Sequence, residues 1–245
     1  MRISAEQRLA MHKKPPSSPL MQQTWENLLF MHWPVPASEL QAFIPAPLEV
    51  DTFDDTGWVA LTPFAMRNVR PSFVPPIPWL SDFYEINCRT YVHLNGEPGV
   101  WFFSLDTDSA ITVLGARTFY SLPYYGATFD VKQQNGETEY RMNRKNGNAS
   151  FTASWKVQDA QPRTAEPDTL EFFQVERYCL YTVHLNQVYR SCIWHEPWPL
   201  RGAELQSCET NLLEANRLEH PATPPRVHLA GPVDVSVWPL EKLAA

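Results

Sequence analysis

The chain has 245 residues, a formal net charge of −7 and an apolar content of 44%, which suit a globular protein with a packed core. This acidic balance, without a basic stripe, argues against nucleic acid as a partner. No apolar run approaches the roughly 18 residues of a membrane-spanning helix, and the N-terminus lacks the apolar region of a secretory signal. We therefore expect a cytoplasmic protein that does not insert in a membrane.

The N-terminus is predicted to be a flexible arm over residues 1–20. Residues 5–12 suit a short helix, and the Pro/Ser-rich stretch KKPPSSP follows it. Residues 21–245 are predicted to form one domain, because no internal repeat or low-complexity tract divides them.

Prolines set the predicted boundaries of the first elements. Residues 28–33 are an apolar run that we predict to be a buried strand, which Pro34 and Pro36 end. Residues 38–44 follow with helical spacing, and Ser38 is placed to cap that helix.

The next stretch predicts two strands and a loop. Residues 48–53 alternate as a strand does, and residues 58–66 form a second, apolar strand that Pro63 interrupts. Residues 71–78, PSFVPPIP, hold too much proline for a sheet centre, so we predict a rigid loop there.

A hairpin and a helix stand out in the middle of the chain. Residues 85–94 and 99–105 flank the dipeptide Asn95-Gly96, which is the strongest short hairpin signal. Residues 109–121 have helical spacing with a cap at Asp108 or Ser109. The other predicted strands are 127–133, 138–144, 149–157 and 175–181, a hairpin of 181–185 with 187–194, and a last strand at 233–238.

This pattern predicts a mainly β (α+β) protein with about ten strands and a few short helices. The strands are mostly antiparallel, so we expect them to close, fully or in part, into a barrel.

Polar side chains share one face of the strand at residues 85–94. By alternation, Glu85, Asn87, Arg89 and Tyr91 project from the same side. Such a face either meets solvent or lines a polar cavity. The neighbouring residues 100–103 are apolar on both faces, which favours a sheet covered on both sides, where these groups need partners.

A second polar group lies around the end of the predicted helix. Arg117 either pairs with a nearby acid, Asp106 or Asp108, or serves as an anion clamp, because a guanidinium matches a carboxylate bidentately. Tyr124 and Tyr125 follow the proline that ends the helix.

Other candidate sites are weaker. Glu176, Arg177, Tyr178 and Tyr181 form a third polar cluster, and His32 is either a satisfied core histidine or a base. No histidine pair has the spacing of metal ligands, and no phosphate loop or dinucleotide motif occurs, so we predict neither a metal nor a cofactor.

The four cysteines are Cys88, Cys179, Cys192 and Cys208. They are widely spaced and form no Cys-x-x-Cys pair, so we expect buried free thiols rather than a zinc or redox site.

Six motifs resemble the uncharacterised bacterial family called YqjF-like or DUF2071. They are QTWENLLFMHWPVP, FIPAPLEVDTFD, EINCRTYV, ARTFYSLPYY, ERYCLY and DVSVWPL, and the resemblance runs from about Gln22 to Leu243. That family in turn resembles the acetoacetate decarboxylase superfamily. Residues 44–50 are similar to its VPEPLEI, and residues 117–123 are similar to its RELSAYP.

The resemblance implies an antiparallel, cone-like barrel with an internal cavity, and it makes self-association into a homo-oligomer an expectation. It also implies a missing nucleophile. The decarboxylases carry two lysines after the proline of the second segment, and the first forms a Schiff base with a keto acid. This chain has Tyr124 and Tyr125 there, and a phenol cannot form an imine. The decarboxylases' active-site arginine and glutamate lack clear counterparts, because Glu26 aligns near the first and Leu61 or Thr62 near the second. Of the six lysines, only Lys156 lies in a strand-like apolar context.

Three functions stay open at this point. The first is a module that binds a small, anionic organic molecule, with a polar lining of Arg89, Arg117, Tyr124, Tyr125, Asn87 and Tyr91. The second is an enzyme that uses acid–base chemistry, with Tyr124 or Tyr125 as proton donor, Glu85 as base and Arg117 as substrate anchor. The third is a structural or oligomerisation role with a filled barrel.

Overall fold

The computed structural model describes residues 3–158 and 161–243, without the side chains of Pro78, Thr118 and Phe119. The first two residues of the predicted arm lie outside these ranges. The strands are β1 (Met21–Glu26), β2 (Leu28–Pro36), β3 (Glu49–Val50), β4 (Thr56–Pro71), β5 (Phe83–Leu94), β6 (Glu97–Thr107), β7 (Tyr124–Gln134), β8 (Glu137–Arg144), β9 (Ser150–Val157), β10 (Cys179–His184), β11 (Gln187–His195), β12 (Leu200–Arg201), β13 (Ala203–Thr210), β14 (Arg226–Ala230), β15 (Val233–Val237) and β16 (Glu241–Lys242). The helices are α1 (Ala5–Ala10), α2 (Ala37–Gln41), α3 (Pro78–Ser81), α4 (Ala110–Phe119), α5 (Leu170–Val175) and α6 (Leu212–Ala215). The prediction of a mainly β protein with short helices is confirmed.

Strand pairing forms a closed circuit. It runs from β4 through β5, β6, β10, β11, β15 and β1 back to β4. These pairings are antiparallel except for β6 with β10, which meet at Leu180 and Val100. A second antiparallel layer, β7–β8–β9–β13, continues from the parallel pairing of β6 with β7.

Two predictions about proline were wrong. β2 continues through Pro34 and Pro36, because at this end it pairs only with β4, while β14 pairs with residues 28–32. The edge of residues 33–36 that faces away from β4 is unpaired within the described ranges, so no backbone N–H is needed there and proline is tolerated. β4 likewise runs without interruption past Pro63. Its other edge pairs with β2 as far as Leu61 and with β1 from Ala65, so Pro63 falls in the gap between the two partners.

The two predicted short elements near residues 38–53 also changed. Helix α2 begins at Ala37, and its N-cap position is Pro36 rather than Ser38. The predicted strand at 48–53 shrinks to β3, although the N–H of Asp51 still donates to the backbone oxygen of Tyr91 on β5 at 2.9 Å and its side chain joins an ion pair.

Residues 175–181 were predicted to be one strand, which is wrong. Helix α5 covers residues up to Val175, and Thr169 caps it by accepting a hydrogen bond from the N–H of Phe172. The strand begins only at Cys179. It follows residues 176–178, whose side chains hydrogen-bond to one another or to Asp51. The polar strands β1 and β13 and the short strands β12, β14 and β16 were not predicted.

The Asn95-Gly96 hairpin is confirmed, and both residues have positive φ, 53° and 83°. The predicted helix at 109–121 is α4, and Ser109 caps it by accepting from the N–H of Thr112. Among the described residues, no helix is long and apolar enough to cross a membrane.

The two faces of β4 and β5 lie in different apolar clusters. Val59, Leu61 and Ile86 belong to a cluster shared with the second layer, whereas Phe64 and Tyr91 belong to one with Phe30, Tyr124 and Trp198. The polar residues of β5 project into the second cluster, because Glu85 pairs with Phe64.

Candidate functional site

The polar line of β5 is buried along its whole length. The exposed fractions are 2% for Glu85, 5% for Asn87, 7% for Arg89 and 0% for Tyr91. The solvent-facing alternative is therefore wrong, and these side chains need partners inside the protein. We call this line, with His32 and Tyr124, the Arg89 site.

Glu85 occupies one end of the Arg89 site. Tyr124, 6% exposed, donates a 2.9 Å hydrogen bond from its hydroxyl to Oε2 of Glu85. Tyr140 donates to the backbone oxygen of Glu85 at 2.8 Å. Burial raises the pKa of Glu85 to about 8, against the lowering effect of the Tyr124 hydrogen bond. The carboxyl group is therefore mostly protonated at neutral pH.

Asn87 continues the line toward Arg89. Thr62 on β4 donates from Oγ1 to Oδ1 of Asn87 at 2.8 Å, so the amide orientation is fixed by a neighbour in the sheet. Asn87 also hydrogen-bonds with the carboxyl group of Glu85 and lowers its pKa slightly.

Arg89 is the unusual member of the site. Its guanidinium lies over the rings of Phe30 and Tyr91, at 5.3 and 5.8 Å from the centroids. Its Nε has no hydrogen-bond partner. Among the described residues, no carboxylate lies within ion-pair distance of it. A buried cation normally has such a partner, because removing an ion from water is costly.

His32 and Tyr91 form the other end. Tyr91 donates from its hydroxyl to the backbone oxygen of Gln174 at 2.6 Å, so it accepts from His32, whose Nε2 lies 2.5 Å away. The Nδ1 of His32 is then a free acceptor, and it has no partner. Burial lowers the pKa of His32 well below its usual value, so the ring is neutral. His32 is thus a core histidine in which Nε2 has a hydrogen-bond partner and Nδ1 has none.

An ion triad lies beyond Tyr91. Asp51 accepts from Arg177 at 2.6 Å and bidentately from Arg8 at 2.7 Å, and its side chain is 2% exposed. Burial raises the pKa of Asp51, but the two guanidinium groups outweigh it and hold that pKa below its usual value. Arg8 belongs to α1, so the triad ties the N-terminal residues to the sheet. The flexibility of that arm stays a prediction.

The third predicted polar cluster is real but divided. Tyr178 donates to Oε2 of Glu176, and Glu176 also accepts from the N–H of Trp198 at 3.1 Å. Burial raises the pKa of Glu176. Arg177 points instead to Asp51, and the Tyr181 hydroxyl donates to the backbone oxygen of Glu97 at 3.0 Å.

Arg117 and Tyr125 lie away from the Arg89 site. The Arg117 side chain is exposed, its Nε donates to the backbone oxygen of Tyr124 at 2.6 Å, and its guanidinium lies over the Tyr125 ring. Asp106 is paired with Arg144 rather than Arg117, at 2.7 Å. Arg117, Tyr125 and Arg144 line a surface pocket of about 410 Å³. The sequence analysis grouped Arg117 and Tyr125 with Arg89 in one ligand-binding lining, whereas the sheet separates these residues.

All six lysines are exposed, including Lys156, which pairs with Glu137 at 3.1 Å. In the part of the chain that the structure describes, no three His, Cys, Asp or Glu side chains cluster as metal ligands do.

The sequence matches the model of the family DUF2071, described as an uncharacterized conserved protein, over residues 22–234. It is 42% identical over 224 residues to the Uncharacterized protein YqjF of Bacillus subtilis (strain 168), covering 91% of this chain and 92% of that protein. The chain therefore belongs to the DUF2071 family, as its motifs predict.

Solved structures share the fold at low identity. Acetoacetate decarboxylase from Legionella pneumophila superposes with a TM-score of 0.61 and 13% identity, covering 94% of this chain and 88% of that one. An acetoacetate decarboxylase-like enzyme from Sphingomonas wittichii RW1 gives 0.64 and 11%, covering 96% and 98%. The enduracididine biosynthesis enzyme MppR, complexed with pyruvate, gives 0.66 and 10%, covering 95% and 93%. The acetoacetate decarboxylase-like fold is thereby confirmed.

Proposed function

We propose that this member of the DUF2071 family binds a small organic anion inside a cone-like barrel, with Arg89 as the group that recognises the anionic end. The observation that carries this proposal is the burial of Arg89 without a carboxylate partner. Two aromatic faces and a hydrogen-bonding contact with the Tyr91 side chain do not supply the negative charge that a buried guanidinium needs. A carboxylate ligand supplies the missing charge and accepts from the free Nε.

The closed strand circuit supports the barrel. A circuit of paired strands has an inner and an outer face, and side chains alternate between them. Arg89, Asn87 and Glu85 then line the inner face, where Tyr124 meets Glu85.

The charge state of the site supports a monoanion. Glu85 is mostly protonated at neutral pH, so Arg89 is the charged group of the line. The structural relative MppR is complexed with pyruvate, a small monocarboxylate, which supports a ligand of this class.

The test is a thermal-shift screen of small monocarboxylates on the wild-type protein and two variants. A ligand at about 100 times its Kd stabilises the folded state by about 2.7 kcal/mol. We expect at least one carboxylate to raise the Tm of the wild type and of Arg117→Met, whose guanidinium lies outside the site, but not of Arg89→Met.

Two outcomes contradict the proposal. One is a library that shifts no wild-type Tm, which a purely structural, filled barrel predicts. The other is a shift that persists unchanged in Arg89→Met.

A second candidate function rests on the Glu85–Tyr124 contact. A carboxyl group with a pKa of about 8 beside a phenol can give and take a proton near neutral pH, which is what acid–base catalysis needs. We propose Glu85 as the proton-transferring group and Tyr124 as its hydrogen-bond donor. Imine chemistry is not part of this candidate, because every lysine is exposed.

Proton exchange at carbon tests this candidate. Any carboxylate found in the screen is incubated in deuterated water, and loss of its carbon-bound proton signal is followed by NMR. Catalysed exchange that Glu85→Gln abolishes and Tyr125→Phe preserves supports an enzyme. Binding without exchange restricts the site to a binding module.

A further inference from the structure

Cys179 and Cys192 face each other across the hairpin of β10 and β11. The register pairs Cys179 with Cys192, Leu180 with Ser191 and Val183 with Val188. Residues directly opposite in an antiparallel pair project to the same side of the sheet. Two thiols that lie 13 residues apart in the sequence are therefore neighbours.

The pair occupies the closer of the two kinds of antiparallel position. The N–H of Ile193 donates to the backbone oxygen of Tyr178 at 3.0 Å, which makes 178 and 193 a hydrogen-bonded pair. Pairs alternate along the ladder, so 179 and 192 are a non-hydrogen-bonded pair, in which the Cα atoms are about 4.5 Å apart. Disulfides need Cα separations of roughly 4.4–6.8 Å, so the backbone already meets this condition.

Both strands are held on their outer edges as well. The backbone oxygen of Cys192 accepts from the N–H of Trp238 at 2.9 Å, and Leu180, next to Cys179, pairs with Val100 of β6. A register slip that separated the two cysteines would also break these pairings with the neighbouring strands. Both thiols are free, with Cys179 buried and Cys192 half-buried.

We propose that Cys179 and Cys192 are an oxidative modification site, which a small-molecule disulfide converts to a cross-strand disulfide. The Cys192 thiolate attacks one sulfur of the external disulfide and releases a first thiol. The Cys179 thiolate then attacks Sγ of Cys192 in the mixed disulfide and releases the second. Two cysteine thiols lose two electrons and two protons, and the external disulfide takes them up as two thiols.

The order of attack follows from exposure. Cys192 is reachable from solvent, whereas Cys179 is 1% exposed and can only act as the resolving thiol. Burial raises the pKa of both thiols, so each is mostly protonated at neutral pH and the reaction is slow.

Peptide mapping tests the proposal on the native full-length protein, with oxidised glutathione as the probe. After incubation, free thiols are alkylated and the chain is cut with trypsin. Cleavage after Arg177, Arg190 and Arg201 puts the two cysteines on separate peptides, 178–190 and 191–201. We expect a linked 178–190/191–201 species that a reducing agent converts back to the two peptides.

Variants provide the control. Cys192→Ser and Cys179→Ser each abolish the linked species, and Cys179→Ser leaves a mixed disulfide at Cys192. Cys208→Ser, which removes another half-buried thiol, leaves the link intact. Oxidised wild-type protein is expected to unfold at a higher temperature than reduced protein, because the cross-link restricts the unfolded chain.

Two results overturn the proposal. One is glutathione that persists at Cys192 of the wild type while Cys179 stays alkylatable. The other is a link from either cysteine to Cys88 or Cys208 in place of the 179–192 link. Both readouts come from the wild-type protein, so they do not depend on how well a variant folds.

Discussion

The hydroxyl of Tyr124 donates a 2.9 Å hydrogen bond to the carboxyl group of Glu85, although 39 residues separate the two in the chain. β7 lies parallel to β6, and β6 pairs with β5, so Tyr124 reaches Glu85 across the intervening strand. The phenol that follows Pro123 is therefore a partner of the buried acid. Tyr125, the next residue, lies on the opposite side with Arg117 and Arg144.

The two adjacent tyrosines are expected to respond differently to loss of their hydroxyl groups. Tyr124→Phe leaves Glu85 without its donor and should cost about 1–3 kcal/mol of unfolding free energy. Tyr125→Phe keeps the ring under the guanidinium groups and should change stability by less than about 0.5 kcal/mol. Urea unfolding measures both. Equal losses in the two variants contradict the inequivalence of the two hydroxyls.

Glu85 is expected to make stability fall as the pH rises. Its folded pKa of about 8 lies above the ordinary value of 4.5, so between these values the folded state holds a proton that the unfolded state has released. The slope approaches about 1.4 kcal/mol per pH unit and disappears above the folded pKa. Glu85→Gln mimics the neutral acid and should lose this contribution.

The comparison is made by urea unfolding of both proteins from about pH 5 to about pH 9. Glu176, whose pKa is also raised by burial, is expected to act equally in the two proteins, whereas the charge of Asp106 itself helps to raise the pKa of Glu85 and belongs to the effect measured. A difference between wild type and Glu85→Gln that stays constant across this window means that Glu85 is ionised in the folded protein.

Arg89 and Arg144 are expected to differ in their contribution to stability without ligand. Arg144→Met leaves the fully buried Asp106 without its bidentate partner and should cost about 3–5 kcal/mol. Arg89→Met removes a buried charge that has no carboxylate partner, so it should leave the free energy of unfolding unchanged or raise it. If Arg89→Met is as damaging as Arg144→Met, the guanidinium is already compensated and the anion site loses its basis.

The ion pair between Arg8 and Asp51 is expected to contribute less to the free energy of unfolding than the whole triad of Asp51, Arg8 and Arg177. In Arg8→Ala, Asp51 keeps Arg177, so the cost should be about 1–2 kcal/mol. In Asp51→Asn, both guanidinium groups lose their carboxylate, and the cost should reach about 3–5 kcal/mol. Arg8→Ala should also be cut faster by trypsin after Lys13, whereas the bond after Lys14 precedes Pro15 and resists trypsin. Unchanged cleavage indicates that other contacts hold residues 3–20 in place.

Local signals in the sequence predicted much of the fold. The Asn95-Gly96 turn, the cap at Ser109 and the alternation of β8 and β9 depend on neighbouring residues, and the structure confirms them. Pro34 and Pro63 misled the prediction, because whether a strand tolerates proline depends on which edge is paired. That pairing is made by distant strands and leaves no local pattern.

The candidate site was only partly predictable for the same reason. Alternation grouped Glu85, Asn87 and Arg89 correctly, but it could not decide whether that face meets solvent. Asp51, which holds Arg177 from 126 positions away, carried no signal at all. The cysteine pair was missed by one residue: the predicted hairpin left only residue 186 in the turn, which puts 179 opposite 193, whereas the observed two-residue turn at 185–186 pairs 179 with 192.

The circuit closes between β6 and β10 at Leu180 and Val100, and next to this pair Gly99 lies against the opposite strand. A Cβ at Gly99 would come within 2.7 Å of the Tyr181 ring and 2.9 Å of the backbone oxygen of Cys179. The turn at Leu185-Asn186, in contrast, projects into solvent. Evolution can therefore vary and lengthen that turn, whereas Gly99 has to stay a glycine for the two halves of the sheet to remain joined.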